Sequence, residues 1–115
     1  MAGGLPLTTF RSVPYEVTNT LDTVYTAPLG ITSIVLMAQV SNVDVADAVV
    51  TFVHVQHKSP GLTTRIVKEM VVPTNDSRIL LGGKLVLESL DRIQVQADRV
   101  GALEFIASIL ESANQ

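Results

Sequence analysis

The residues best equipped for chemistry in this sequence are two histidines and a scatter of carboxylates. His54 and His57 are the only imidazoles, and they lie in a β-branched stretch that includes Val49, Val50, Thr51, Val53 and Val55. Such residues resist helix and suit a pleated strand. Strand alternation directs positions of opposite parity to opposite faces, so the pair cannot grip one metal ion without a bulge. A competent metal site needs several convergent ligands, and two structural imidazoles account for the pattern more simply. Asp44 and Asp47 share one segment, Asp44-Val45-Ala46-Asp47, with Asp76 and Asp91 elsewhere. That segment could hold a cation loosely, but it lacks the dense oxygen ligands and the glycine of a calcium loop. Aspartates that cap turns explain the same residues. No serine stands in a Gly-x-Ser-x-Gly elbow. Gly82-Gly83-Lys84 lacks the upstream glycine of a phosphate loop and precedes a strand-like run, so it reads as a hairpin turn. The sequence therefore holds no convergent polar site, and catalytic, cofactor-binding and metal-binding roles all go without a candidate.

Composition narrows the remaining classes. With 115 residues there is room for one core. The chain is 47% hydrophobic and 17% charged, which implies either an unusually complete core or apolar surface covered by a partner. Tryptophan is absent and the aromatics are few, so the core must be aliphatic. The net charge is −3 and the basic residues stand apart, which removes the electrostatic basis for binding nucleic acid or an anionic membrane. Absence of cysteine excludes disulfides and thiolate chemistry. The opening residues show neither a basic flank nor an apolar run of signal-peptide type, and the run Ile34–Ala38 is far too short to span a bilayer. The expected place of synthesis is the cytoplasm.

The elements that would carry these residues are short apolar runs between turn signals. Strands are expected at Thr23–Thr26, Ile31–Val40, Ala48–His57, Thr63–Val72, Ile79–Leu81, Leu85–Leu87 and Ile93–Ala97. Turns follow at Ala27-Pro28-Leu29-Gly30, Ser59-Pro60-Gly61 and Pro73–Ser77, with a hairpin at Asp98-Arg99-Val100-Gly101. The segment from Leu103 to Leu110 fits both a strand and a helical face; the preceding turn favours a strand. The sum is an all-β chain: an antiparallel β-sandwich, jelly-roll or Ig-like, of about eight strands. Residues 1–14 read as an extended N-terminal arm, and 15–115 as the sandwich domain. The arm carries Leu5, Leu7 and Phe10 with Arg11, apolar character that a solvated tail would not need, and these four are the candidate protein-interface residues.

Two stretches go beyond fold class. One is Val24-Tyr25-Thr26-Ala27-Pro28-Leu29-Gly30-Ile31-Thr32-Ser33-Ile34-Val35-Leu36, leading to Gln39-Val40-Ser41-Asn42-Val43. The other is Gly82-Gly83-Lys84-Leu85-Val86-Leu87-Glu88 with Asp91-Arg92-Ile93-Gln94-Val95, closing on Ser108-Ile109-Leu110-Glu111-Ser112. Over roughly residues 23–112 the chain resembles small β-sandwich virion structural proteins of tailed bacteriophages, cyanophages among them. It departs from that group at Leu90, where a glycine commonly precedes the aspartate.

The resemblance implies a non-enzymatic component of a phage particle: a head decoration or cement subunit, or a neck, collar or tail-associated one. It would be a homo-oligomer located in the virion and bound to the major capsid protein or to neck and tail subunits. A carbohydrate- or receptor-binding sandwich is the alternative from another class. Such sites place aromatic platforms in loops, and here Tyr25 and Phe52 fall in expected strands, leaving Phe10 and Tyr15 as the aromatics in loop-like sequence.

Overall fold

The computed structural model describes residues 8–113, all in strands and connecting turns. Nine strands follow in order: β1 (Thr8–Glu16), β2 (Asp22–Thr26), β3 (Ile31–Asn42), β4 (Ala48–Val55), β5 (Thr63–Val72), β6 (Ser77–Ile79), β7 (Leu85–Leu87), β8 (Arg92–Ala97) and β9 (Leu103–Ala113). They form two antiparallel sheets. One has the order β1-β9-β3-β6, with β7 also paired to β3; the other has the order β2-β8-β4-β5. The β-sandwich expected from the sequence is present, and the segment that fitted both strand and helix is β9.

Both β6 and β7 run antiparallel to β3, at Gln39–Ser41 and Ser33–Val35 respectively, so they are two collinear halves of one interrupted strand. Gly82-Gly83 is therefore a step within that strand, and the expected hairpin turn there is incorrect. Counting the two halves as one leaves eight strands in two four-stranded sheets, and every connection except the β4–β5 hairpin passes from one sheet to the other. This is the jelly-roll order and not the Ig-like one. The expected hairpin at Asp98–Gly101 is corrected in the same way: β8 and β9 lie in different sheets, and the segment joins them. The first turn also sits one residue later than expected, with the Ile31 N–H donating to the Pro28 carbonyl (3.1 Å) and Gly30 in its third position at φ 78°. A positive φ there is what glycine supplies without strain.

Two-residue alternation builds the core. Along β9, Leu103, Phe105, Ala107 and Ile109 are buried, and they meet Val50 and Phe52 of β4 with Ile93 and Val95 of β8. Phe52 and Phe105 bridge the sheets with ring centroids 5.7 Å apart. The rest of the core is aliphatic, as the composition requires.

Of the arm expected over residues 1–14, residues 8–14 run within β1, paired with β9 from Thr8↔Ser112 to Glu16↔Glu104 without a register shift. Phe10 and Tyr15, expected in loop-like sequence, are strand residues. Leu5 and Leu7 lie outside the described residues.

The Asp91 carboxylate ties two loops, those after β4 and β7, at one end of the sandwich. It is buried, accepts the backbone N–H of His57 (2.9 Å) and of Glu88 (3.0 Å) and lies 3.2 Å from His54 Nε2. Both histidines thus serve one carboxylate, His54 by its ring and His57 by its backbone, just past the end of β4. Burial raises the Asp91 pKa, but the donors from His57, His54 and Glu88 together outweigh it and leave it below its ordinary 3.8. Next to it, Leu90 takes φ 69°. The position where the resembling group has glycine keeps the backbone conformation that glycine favours.

Two predictions follow from this end of the molecule. Replacing Asp91 with Asn leaves a single acceptor oxygen, so it orphans one of the two backbone donors and should lower unfolding stability by about 2 kcal/mol at neutral pH. Because the folded pKa is depressed, the Asp91 contribution is complete above the unfolded pKa and lost as pH falls through the folded value. Denaturant titrations should therefore show the gap between wild type and Asp91→Asn narrowing below pH 3.8. Leu90→Gly should relieve left-handed backbone strain and raise stability by about 0.5–1 kcal/mol, measured by thermal melts.

Candidate assembly surface

Residues of β9 that do not enter the core face outward with their neighbours on β1, β3, β6 and β7. Strand register orders them in rows across the sheet. One row reads Phe10–Leu110–Ile34–Val86, and every member is apolar. A second reads Pro14–Ile106–Gln39–Ile79. Between them lie Ser12, Ser108 and Met37, with Leu36 in the bulge of β3. Acidic residues enter only in the row Glu16–Glu104–Ser41–Ser77 at one end. Several of these apolar side chains stand well out: Phe10 is 73% exposed, Ile79 69%, Val86 54% and Ile106 39%.

The outer face of the other sheet is built differently. Arg92, Gln94 and Gln96 of β8 point outward there, beside Thr51 of β4 and Arg65 of β5. Gln94 donates to Thr23 Oγ1 (3.0 Å) and Gln96 to the Asn19 carbonyl (2.9 Å), so this face meets water with its polar groups organised. Val49, Val53 and Val71 share that face with these polar groups, so it is mixed, whereas the outer face of the β1-β9-β3-β6/β7 sheet carries one wholly apolar row and a second that is mainly apolar. Contiguous exposed apolar surface of this kind marks an interaction site more often than a solvated one.

Of the four candidate interface residues, the structure places two. Phe10 lies on the apolar face at its β1 margin. Arg11 does not join it; its side chain turns to the opposite side of β1 and lies 3.7 Å from Glu111. Glu111 accepts the Tyr25 hydroxyl, which also lies 2.8 Å from the buried Ser33 hydroxyl. Burial, then the bond to Glu111, pushes the Tyr25 pKa up to about 12, so the phenol remains a donor. Arg11 therefore closes a polar network at the mouth of the sandwich.

Reading the sequence for apolar residues in loop-like segments missed Ile34, Leu36, Ile79, Val86, Ile106 and Leu110. The signal was available in β3, whose run is apolar at both parities, and in Ile106 and Leu110 of β9. In β3 one side belongs to the core and the other to an open face.

The remaining charged clusters serve the loops. Arg99 donates to Asp44 Oδ2 (2.8 Å) and to the carbonyls of Asp47 and Ala46, both at 3.0 Å. Asn42 spans the same loop, donating to Ala46 and Val72 carbonyls and accepting the Asp44 N–H. These are turn-forming roles for Asp44 and Asp47. Among the described residues no three His, Asp or Glu side chains converge as metal ligands, and no helix is long and apolar enough to cross a membrane.

No family model and no curated protein matches the sequence. Solved structures match it by fold. A chain of Bacillus endospore appendages, described as disulfide-linked pili, superposes with a TM-score of 0.56 at 13% identity, covering 100% of this chain and 96% of the other. A chain of the capsid of Helicobacter pylori bacteriophage KHP30 gives 0.57 at 6% identity, covering 96% and 90%. A chain of the T13 particle of infectious bursal disease virus gives 0.57 at 8% identity; this chain is covered over 95% but spans only 32% of that one. At these identities the likeness establishes a shared β-sandwich fold, one found both in virus particles and in a pilus.

Proposed function

We propose that this protein is a non-enzymatic structural subunit of a virus particle, most specifically a decoration or cement subunit on a phage capsid. It attaches to other virion proteins through the outer face of the β1-β9-β3-β6/β7 sheet. The observation that carries the reading is the pair of adjoining rows on that face, Phe10–Leu110–Ile34–Val86 and Pro14–Ile106–Gln39–Ile79, since a subunit free in solution would gain nothing from keeping such a surface. The capsid proteins that share the fold support the virion setting, as does the resemblance in the Tyr25–Gly30 and Gly82–Glu88 segments. The pilus subunit shares the fold equally well, but it is described as disulfide-linked, and this sequence has no cysteine to form such links. A carbohydrate-binding role is less favoured because Tyr15, Tyr25 and Phe52 are committed to strands, with Tyr25 and Phe52 packed in or against the core.

Leu5 and Leu7, with Phe10, form part of the proposed contact. Neck, collar or tail attachment would use the same face with a different neighbour.

The reading predicts that Ile106→Lys, at the centre of the face, leaves the fold intact and weakens attachment. Purified protein should co-sediment with particles stripped of it, and the variant should bind about ten- to a hundred-fold more weakly, the loss typical of a central interface residue. Undiminished co-sedimentation of a folded Ile106→Lys protein would remove this face from the contact.

A further inference from the structure

Open sheet edges are sites where another strand can add, and folded proteins usually blunt them with bulges, charges or interruptions. Three of the four edges here are blunted. The β2 register shifts between Thr23 and Tyr25. The β5 register shifts twice, with Glu69 at φ 52° beside Lys68. The fourth strand of the other sheet is broken into β6 and β7. The remaining edge, β1, runs Thr8–Glu16 in one uninterrupted register.

The direction of its backbone groups follows from the pairing. Val17 continues the β1 register and donates its N–H to the Leu103 carbonyl (3.0 Å). In an antiparallel ladder every second residue exchanges such bonds with its partner. Tyr15, Val13, Arg11 and Thr9 therefore bond to β9, while Thr8, Phe10, Ser12, Pro14 and Glu16 turn their backbone groups to the open edge. Pro14, which lacks an N–H, sits where that donor would face outward, the position proline tolerates in an edge strand.

We propose that β1 pairs antiparallel with β1 of a second copy of this chain, on a two-fold axis through Ser12. Ser12 is the midpoint of Thr8–Glu16, so this register uses the whole strand. It sets Phe10 against the partner's Pro14, where the proline carbonyl accepts the Phe10 N–H and no donor is missed except the one proline never had. Thr8 meets Glu16, and Arg11 meets Val13, so no like charges oppose each other. A centre one residue earlier would set Arg11 directly against Arg11, which is destabilising. Each Arg11 already carries Glu111, so the two arrive at the junction as neutral pairs. The dimer joins two sheets into one continuous sheet and doubles the width of its apolar outer face. The pairing stands on the edge geometry, independently of which particle or neighbour that face contacts.

The test uses the full chain in solution, by sedimentation equilibrium together with single-cysteine cross-linking, which a cysteine-free sequence makes unambiguous. Wild type should be dimeric. Ser12→Cys should oxidise to a disulfide-linked dimer, since paired antiparallel residues lie about 5.5 Å apart at Cα, within disulfide range. Thr51→Cys, on the outer face of the other sheet, should not. Ser12→Pro removes an edge donor that β9 does not use, so it should stay folded, with a cooperative melt, and sediment as a monomer. A monomeric wild type would overturn the proposal. So would a dimer that survives Ser12→Pro, and so would one broken by Ile106→Glu but not by Ser12→Pro, which would move the contact to the sheet face. Loss of particle attachment by Ile106→Lys with the Ser12 results intact would concern the face alone.

Discussion

The alternation along β9 is the constraint on which the molecule depends. β9 lies between β1 and β3, and one parity of its residues, Leu103, Phe105, Ala107 and Ile109, supplies the middle of the core. A slip of one residue would exchange that set for Glu104, Ile106, Ser108 and Leu110 and bury a carboxylate opposite Phe52. In most strands such alternation separates apolar from polar. In β9 it separates a tightly packed apolar set from a mixed one, in which Ile106 and Leu110 alternate with Glu104 and Ser108, and this second set is the centre of the outer face. Fold and proposed function are thus two sides of the same strand.

Polar chemistry in this protein is spent at the ends of the sandwich. Asp91 gathers the loops after β4 and β7, and Asn42 with Arg99 gathers those after β3 and β8. Each group is bonded to backbone as well as to side chains, which fixes loop geometry. Tyr25, Ser33, Glu111 and Arg11 close the sandwich mouth beside β1 in the same way. Loops tied at both ends and an exposed apolar sheet face suit the proposed assembly role.

Much of this was legible in the sequence. Val49–Val55 and Ile93–Ala97 announce strands by β-branching and alternation, and their positions hold in the structure. Gly82-Gly83 was misread because a local sequence signals a turn without saying whether the chain reverses; that depends on β3 offering a partner to both β6 and β7. Asp98–Gly101 failed for the same reason, since a hairpin and a crossover between sheets use the same turn residues. Residues 8–14 carry little periodicity, and their strand state depends on pairing with a segment about a hundred residues away. Phe10 was identified through apolarity alone, whereas Ile106 and Val86 required the register that sets them in one surface. Leu90 is the opposite case: a departure visible in sequence whose meaning, a left-handed backbone in a non-glycine residue, needed the structure.

The most direct measurement is quantitative mass spectrometry of purified particles of the phage proposed to carry this chain, scaling its abundance against the major capsid protein. The account predicts a stoichiometric amount, comparable with the capsid protein, as a decoration or cement subunit requires. A ratio of a few per cent would contradict decoration and place the subunit at the neck or tail, and its complete absence from particles would contradict the virion assignment itself.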